Sequence, residues 1–233
     1  MHYFFLDESY SSDQTRKNIV MAAWAVEQKR FNEWLPKRSD TYRSPVSASI
    51  NSMLETCDAW AVRGTASLDP ALFRSGEMGG TDDVTAMHRT DNIWSQCFIF
   101  LVATLIKELI RRNHEVGTVD IYHGPKSLKP DHAKALQKTL CQLIIPEAKR
   151  YDSERGSRLL ENLNLRDIKP VGKAPVGQAP DKFQVGTWVA DKLCSCSHKT
   201  IQTGCFSRII SWDMSDVIRK TIRQFDGKSF YED

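Results

Sequence analysis

Two adjacent carboxylates follow an apolar stretch at the start of the chain. Asp7 and Glu8 come directly after residues 3–6, a run of aromatic and aliphatic residues that is typical of a buried strand. Placing carboxylates at the end of such a strand is unfavourable unless they face a solvent-filled cleft, a metal ion or a basic partner. The sequence therefore predicts either a polar site at the end of a central strand or an ordinary acidic turn.

Three further carboxylates lie within or beside predicted strands and helices. Asp91 stands at the polar start of the longest predicted helix, Asp120 lies in a strand that ends at His123, and Asp191 lies in a late helix. Carboxylates from separate elements can act together only if the fold brings them to one edge of a sheet. The elements that would position them therefore decide whether a site exists.

Alternation along a strand limits which of these residues can share a cleft. Asp120 lies roughly 10 Å from His123, since a strand advances about 3.3 Å per residue, and the two side chains point to opposite faces. At most one of them can face the cleft. Asp7 and Glu8 have the same conflict unless the strand bulges or ends between them.

The composition describes an ordinary globular chain. Its 233 residues, 41% hydrophobic and 26% charged, suit one large domain, and a net charge of +3 indicates no particular partner. The longest apolar run, 97–106, is shorter than the roughly 20 residues that a bilayer span needs, and no signal peptide is expected. Six scattered cysteines favour reduced thiols and a cytoplasmic location.

Apolar periodicity predicts an α/β order of elements. A long helix followed by a strand is best placed as a right-handed crossover to a strand parallel to the first one. The predicted fold is a mixed sheet of about five strands with helices on both faces. The strands are expected over 3–9, 19–26, 59–68, 117–125 and 163–169, and the helices over 29–35, 46–57, 90–112, 131–145, 181–196 and 216–225.

Three strands followed by helix-linked strands form the architecture of the ribonuclease H-like fold. Three motifs accompany it: Phe-Leu-Asp-Glu-Ser at 5–9, Met-His at 87–88, and the helical run 183–191. With these motifs, residues 3–196 resemble the family called domain of unknown function 3800, whose members open with Asp-Glu-Ser. The resemblance implies a ribonuclease H-like domain over 1–198, with a helical insertion around 29–57. Residues 199–233 are expected to be a C-terminal helical extension packed on the same domain.

The resemblance also implies a nuclease that uses Mg²⁺ or Mn²⁺. Two such ions about 4 Å apart can stabilise the attacking and leaving oxygens of a phosphodiester, and hard cations take oxygen ligands. The implied catalytic residues are Asp7, Glu8, Asp91 and Asp191. The implied metal ligands are Asp7, Asp120 and Asp191, with His123 as an alternative to Asp120.

The sequence departs from the family pattern at two places. Asp191 matches the acid of the family's Gln-Leu-Ala-Asp run if Trp188 replaces its glutamine; the other register keeps Gln184 and puts Asp191 one turn later. His123 and Gly124 stand where an acid is expected. A second hypothesis is therefore a module that has lost metal ligands and binds nucleic acid or a protein.

Basic residues in loops are candidates for holding a phosphate backbone, although loop lysines are commonly just solvated. They are Arg16, Lys17, Lys126, Lys169 and Lys173.

A cysteine and histidine cluster suggests zinc, but its spacing is unusual. Cys194, Cys196 and His198, with Cys205 beyond, lack the common Cys-x₂₋₄-Cys separation, and residues two apart on a helix point in different directions. Free buried thiols are the favoured interpretation. Zinc remains open if the helix ends at Cys194.

Overall fold

The computed structural model describes residues 1–12, 17–35, 47–67, 83–126, 130–195 and 208–214. A π-helical turn, Leu140–Ile144, joins the helices Pro130–Thr139 and Ile145–Glu154. The strands are β1 (His2–Ser12), β2 (Lys17–Glu27), β3 (Trp60–Ser67), β4 (Thr118–His123), β5 (Asn164–Pro170) and β6 (Ile209–Asp213). The helices are α1 (Gln28–Trp34), α2 (Ser47–Thr56), α3 (Asp83–Arg111), α4 (Pro130–Thr139), α5 (Ile145–Glu154) and α6 (Lys182–Ser195).

The strands form one mixed sheet in the order β5-β4-β1-β2-β3-β6. β1 and β2 form the expected antiparallel hairpin, β3 continues it antiparallel, and β4 pairs parallel with β1. β5 pairs parallel with β4, and β6 pairs parallel with β3. The α/β class with a mixed sheet is confirmed, and β1 lies in its interior as predicted.

The predicted count of five strands is wrong, because a sixth strand lies in the segment expected to be a helical extension. Residues 209–213 pair with residues 61–65 of β3 and extend the sheet at that edge. The predicted helix over 216–225 lies outside the described residues.

The two faces of the sheet carry different helices. Because neighbouring residues of a strand point to opposite faces, Phe4 and Leu6 pack in a core with residues of α3, α4 and α5. Tyr3 and Phe5 pack in a second core with residues of α1, α2 and α6. We call these the α3 face and the α6 face. Within the described ranges, no helix combines the length and the apolar character that crossing a membrane requires.

Helix α6 lies very close to the centre of the sheet. A Cβ atom on Gly186 would collide with the ring of Phe5, so only glycine permits this approach. The indole Nε1–H of Trp24 donates to the Gly186 carbonyl at 2.9 Å and fixes the contact. This approach brings Asp191, in the last turns of α6, toward the strand that carries Asp7.

The start of α6 is closed by a reciprocal cap. The Asp181 carboxylate accepts the backbone N–H groups of Phe183 and Gln184, and the Gln184 side chain accepts the N–H of Asp181. The side-chain amide of Gln184 also donates to the carbonyl of Gly172 at 3.1 Å. Gln184 therefore ties the loop after β5 to α6.

Candidate functional site

Asp7 is the first residue of β1 beyond the end of β4. His123, the last residue of β4, pairs with Leu6, and the Gly124 N–H then donates to the Leu6 carbonyl at 3.0 Å. β1 continues with β2 as far as Ser12. The Asp7 carboxylate therefore borders the open space where β4 stops, and it occupies the room that a side chain at position 124 would need.

The surroundings of Asp7 oppose its negative charge. Burial raises the pKa of its carboxyl from 3.8 to about 7, and the charges of Glu8 and Asp191 add to the rise. The backbone N–H of Glu8, which donates at 2.9 Å, and the Lys173 ammonium act in the opposite direction without reversing it. A carboxylate held in this way gains stability from a proton or from a cation.

Asp191 lies on the same face as Asp7 and is partly exposed. Its side chain is 43% exposed, and its carboxylate lies 3.8 Å from the Lys192 ammonium. The Cys194 thiol, one turn later on α6, donates to the Asp7 carbonyl at 3.2 Å. Burial raises the pKa of this thiol, and the charges of Asp7 and Asp191 raise it further. The structure thus places Asp191 near enough to Asp7 for their charges to interact.

Glu8 lies on the opposite face from Asp7. The pairing of β1 with β2 is continuous through both residues, so no bulge turns the two side chains to one side. One carboxylate oxygen of Glu8, Oε2, is buried and has no hydrogen-bond partner in the described part of the chain. Glu8 is therefore a second carboxylate whose burial is not fully offset by hydrogen bonds, and the sheet separates it from Asp7.

His123 belongs to the α3 face. Its Nδ1–H donates to the Gly124 carbonyl at 2.8 Å, and the rings of Trp94 and Phe98 contact it edge-on. Burial lowers the pKa of His123, so the ring is neutral near pH 7. Asp91 lies in α3, one turn before Trp94, and its side chain is outside the part of the chain that the structure describes.

Asp120 is not part of this group. It pairs with Tyr3, four residues before Asp7, which is roughly 13 Å along the strand. Its buried carboxylate accepts two hydrogen bonds from Arg166, one of them from Nε at 2.7 Å, and one from the Tyr122 hydroxyl at 3.3 Å. A bulge in β5 skips Arg166 in the pairing with β4. The structure thus assigns Asp120 to an internal ion pair and does not bring it to the predicted metal centre.

The predicted nucleic-acid contacts differ in their relation to Asp7. Lys173 lies near enough to lower the Asp7 pKa, and the Lys126 ammonium lies 5.5 Å from the centre of the Trp94 ring. Lys169 pairs with Asp167 at 2.8 Å. Lys17 begins β2 at the far end of the hairpin, and Arg16 lies outside the described residues.

Arg63 is a residue that sequence reasoning missed. It pairs with Ala22, which pairs with Asp7, so Arg63 lies two strands from Asp7 on the same face. Its side chain is 6% exposed, and its guanidinium lies 3.5 Å from the Cys194 carbonyl near the end of α6. An arginine in the otherwise apolar start of β3 was the available signal.

Only part of the side chains that could bind metal ions lies within the described residues. Among the residues that the structure describes, no group of three or more histidine, cysteine, aspartate and glutamate side chains lies close enough together to hold a metal ion. Of the possible zinc ligands, Cys194 is a buried free thiol, and Cys196, His198 and Cys205 lie outside the described residues.

Comparison with models of known protein families gives no match to this chain, and comparison with curated proteins gives none either. What the site can do is therefore argued from its geometry. Two carboxylates on one face, beside a lysine and at the open end of a strand, can bind a hard cation and place it against an anionic oxygen.

Proposed function

We propose that the protein is a divalent-metal-dependent nuclease with a ribonuclease H-like fold that hydrolyses phosphodiester bonds of nucleic acid. The observation that carries the proposal is the position of Asp7, on the α6 face where β4 ends and beside Asp191 of α6, where burial and the charges of Glu8 and Asp191 raise the pKa of its carboxyl. Such an arrangement is costly without a cation. The strand order β5-β4-β1-β2-β3 within the sheet supports the proposed fold.

The residues present fit a magnesium or manganese ion. Mg²⁺ commonly keeps several waters and is held by one or two carboxylates together with substrate phosphates, so a full set of protein ligands is not required. Asp7 and Asp191 would hold it from β1 and α6. Such an ion would supply a Lewis acid that stabilises charge on a phosphoryl oxygen.

The chain's own residues would position the substrate around this pair. Lys173 places a positive charge beside Asp7, where it would attract the phosphate backbone. The Gly186 contact and the Trp24 hydrogen bond hold α6 against the sheet, so that Asp191 keeps its position relative to Asp7. The free thiols Cys97, Cys141 and Cys194 suit the cytoplasmic location that we propose with this function.

A second candidate function is a nucleic-acid-binding or protein-binding module that has lost catalysis. Gly124 favours it, because the Asp7 carboxylate fills the space where the resemblance expects another acid. An acidic side chain could not be added at position 124 without displacing Asp7.

The experiment is a cleavage assay on labelled single-stranded DNA, double-stranded DNA and RNA with Mg²⁺ or Mn²⁺. Asp7→Asn should abolish cleavage. Glu161→Gln is the matched control, since Glu161 is an exposed carboxylate just before β5, at the end of the sheet opposite Asp7. Cleavage that survives Asp7→Asn, or its absence on all three substrates, would overturn the nuclease proposal; retained binding without cleavage would favour the binding module.

A further inference from the structure

A cleft of about 480 Å³ lies at the carboxyl ends of β4 and β5, under α4. Its walls include the apolar side chains of Pro125, Leu136 and Ile168. Its polar groups include Lys126, Lys134 and Gln137. A volume of this size lies within the range of about 300–1,000 Å³ that small-molecule sites occupy, and the combination of apolar walls with a few polar groups is typical of them.

The cleft adjoins the Asp7 site through three consecutive residues. His123 and Pro125 line the cleft, and Gly124 between them touches the Asp7 carboxylate. Pro170, which ends β5, and Gly172, in the loop after it, also line the cleft, and Lys173 follows Gly172 and acts on the charge of Asp7. The cleft lies on the α3 face and Asp7 on the α6 face, so Gly124 and the loop after β5 form the boundary between them.

We infer that this cleft binds one nucleotide unit, with its phosphate at the two lysines and its base against the apolar walls. Lys126 and Lys134 supply positive charge that complements a phosphate. The contact of Lys126 with the Trp94 ring holds that ammonium near the cleft mouth. Gln137 carries an amide that can donate to and accept from the edge of a base.

This inference rests on the proposed nuclease function and names its substrate class. A base that is stacked and paired in a duplex cannot enter a cleft without being extruded. The cleft therefore selects single-stranded nucleic acid, or frayed ends, and it would hold one nucleotide across Gly124 from Asp7.

Binding is tested with the full chain carrying Asp7→Asn, in EDTA, so that cleavage and metal binding do not contribute. Isothermal titration with nucleoside monophosphates, inorganic phosphate and a short single-stranded oligonucleotide gives the affinities. Ala133→Phe fills the cleft from its exposed rim and should abolish binding of nucleotide. Ala135→Phe, on the same helix but outside the cleft, should leave binding unchanged.

Charge is tested in the same way. Lys134→Gln should weaken nucleotide binding about fivefold, whereas Lys138→Gln, one turn later on α4, should not. Loss of oligonucleotide binding in Ala133→Phe, with no measurable mononucleotide affinity, would still support a nucleotide unit, taken from a polymer. Absence of binding by both mononucleotide and oligonucleotide, equal binding of inorganic phosphate and mononucleotide, or unchanged binding in Ala133→Phe would overturn the inference.

The outcomes for the cleft and for the nuclease are separable. Nucleotide binding that Ala133→Phe abolishes, in a protein whose native form cuts nothing with Mn²⁺, would leave the cleft in place and remove the nuclease proposal. Metal-dependent cleavage without nucleotide binding in the cleft would support the nuclease proposal and remove the inference about the cleft.

Discussion

Asp7→Asn should make the protein more stable above neutral pH while it removes the proposed activity. In the folded protein the Asp7 carboxyl has a pKa of about 7, against 3.8 for the same group in an unfolded chain. The folded state therefore holds this proton more tightly than the unfolded state. The resulting stability is fully present below about pH 4 and is lost as the pH rises through about 7.

The size of the effect follows from the two pKa values. At about 1.4 kcal/mol per pH unit, a rise from 3.8 to about 7 corresponds to about 4 kcal/mol. Asp7 is only partly buried, and solvent screening reduces this to roughly 2 kcal/mol. For a chain of this size, that free energy corresponds to about 4–8 °C in melting temperature.

The assay is urea unfolding of the native protein and Asp7→Asn at pH 5 and pH 8, without metal. Because other groups also titrate, the quantity compared is the difference between the two proteins at each pH. Because the loss begins near pH 4, the variant should be somewhat less than about 1 kcal/mol more stable than the native protein at pH 5 and about 2 kcal/mol more stable at pH 8. If the two proteins respond to pH identically, the Asp7 carboxyl is not destabilised by its surroundings and the reasoning fails.

Added Mn²⁺ should make the native protein more stable than Asp7→Asn at pH 8. At pH 8, Mn²⁺ at about 100 times its dissociation constant should stabilise the native fold by about 2.7 kcal/mol. At pH 5, proton competition at Asp7 should lower the apparent affinity by about 100-fold and remove most of that gain. Asp7→Asn should show no such response, and Glu161→Gln should respond like the native protein.

Two further predictions concern the surrounding structure. Asp120→Ala removes the acceptor of the buried Tyr122 hydroxyl, so it should lower the free energy of unfolding by about 1–3 kcal/mol and leave Mn²⁺-dependent cleavage unchanged; lost cleavage with intact stability would return Asp120 to the metal site. Gly186→Ala forces a methyl group into the Phe5 ring and should cost about 1–3 kcal/mol in urea unfolding. Gly117→Ala, which meets nothing within 4 Å, should cost little, and equal effects of the two glycine substitutions would show that α6 can shift without cost.

Local patterns predicted most of the sheet because its inner strands have strong signals. The aromatic and β-branched runs of β1, β2 and β4 are buried and appear where the sequence placed them. β6 was missed because it is a short edge strand whose partner, β3, lies far away in the sequence. The hydrophobic periodicity within a short segment does not indicate a pairing with a distant strand.

Helix α5 was not predicted, for a different reason. The helix was predicted over 131–145, so its predicted end lies directly before Pro146, a residue that lacks an N–H donor. In the structure Pro146 lies in the first turn of α5, where no donor is needed, and a π-helical turn connects α5 to α4. The chain therefore continues as helix to Glu154.

The alternation of side chains along a strand predicted that Asp120 and His123 cannot share one cleft, whereas the resemblance implied Asp120 as a metal ligand. The expectation that Asp120 and His123 cannot face one cleft holds, since Asp120 lies with the α6 face and His123 with the α3 face. The bulge that turns Arg166 toward Asp120 could not be read from the sequence. Neither could the approach of α6, which depends on the absence of one side chain at Gly186.

The sheet itself decides how many carboxylates can share a cation. Asp7 and Asp191 lie on the α6 face, and Glu8 lies on the other face of an unbroken strand. The space at Gly124, where a further ligand would enter, is filled by the Asp7 carboxylate. A centre of two protein carboxylates needs water and substrate phosphate to complete the shell of a single Mg²⁺ or Mn²⁺. Cation and nucleic acid should therefore bind with positive cooperativity, each strengthening the other by the same factor.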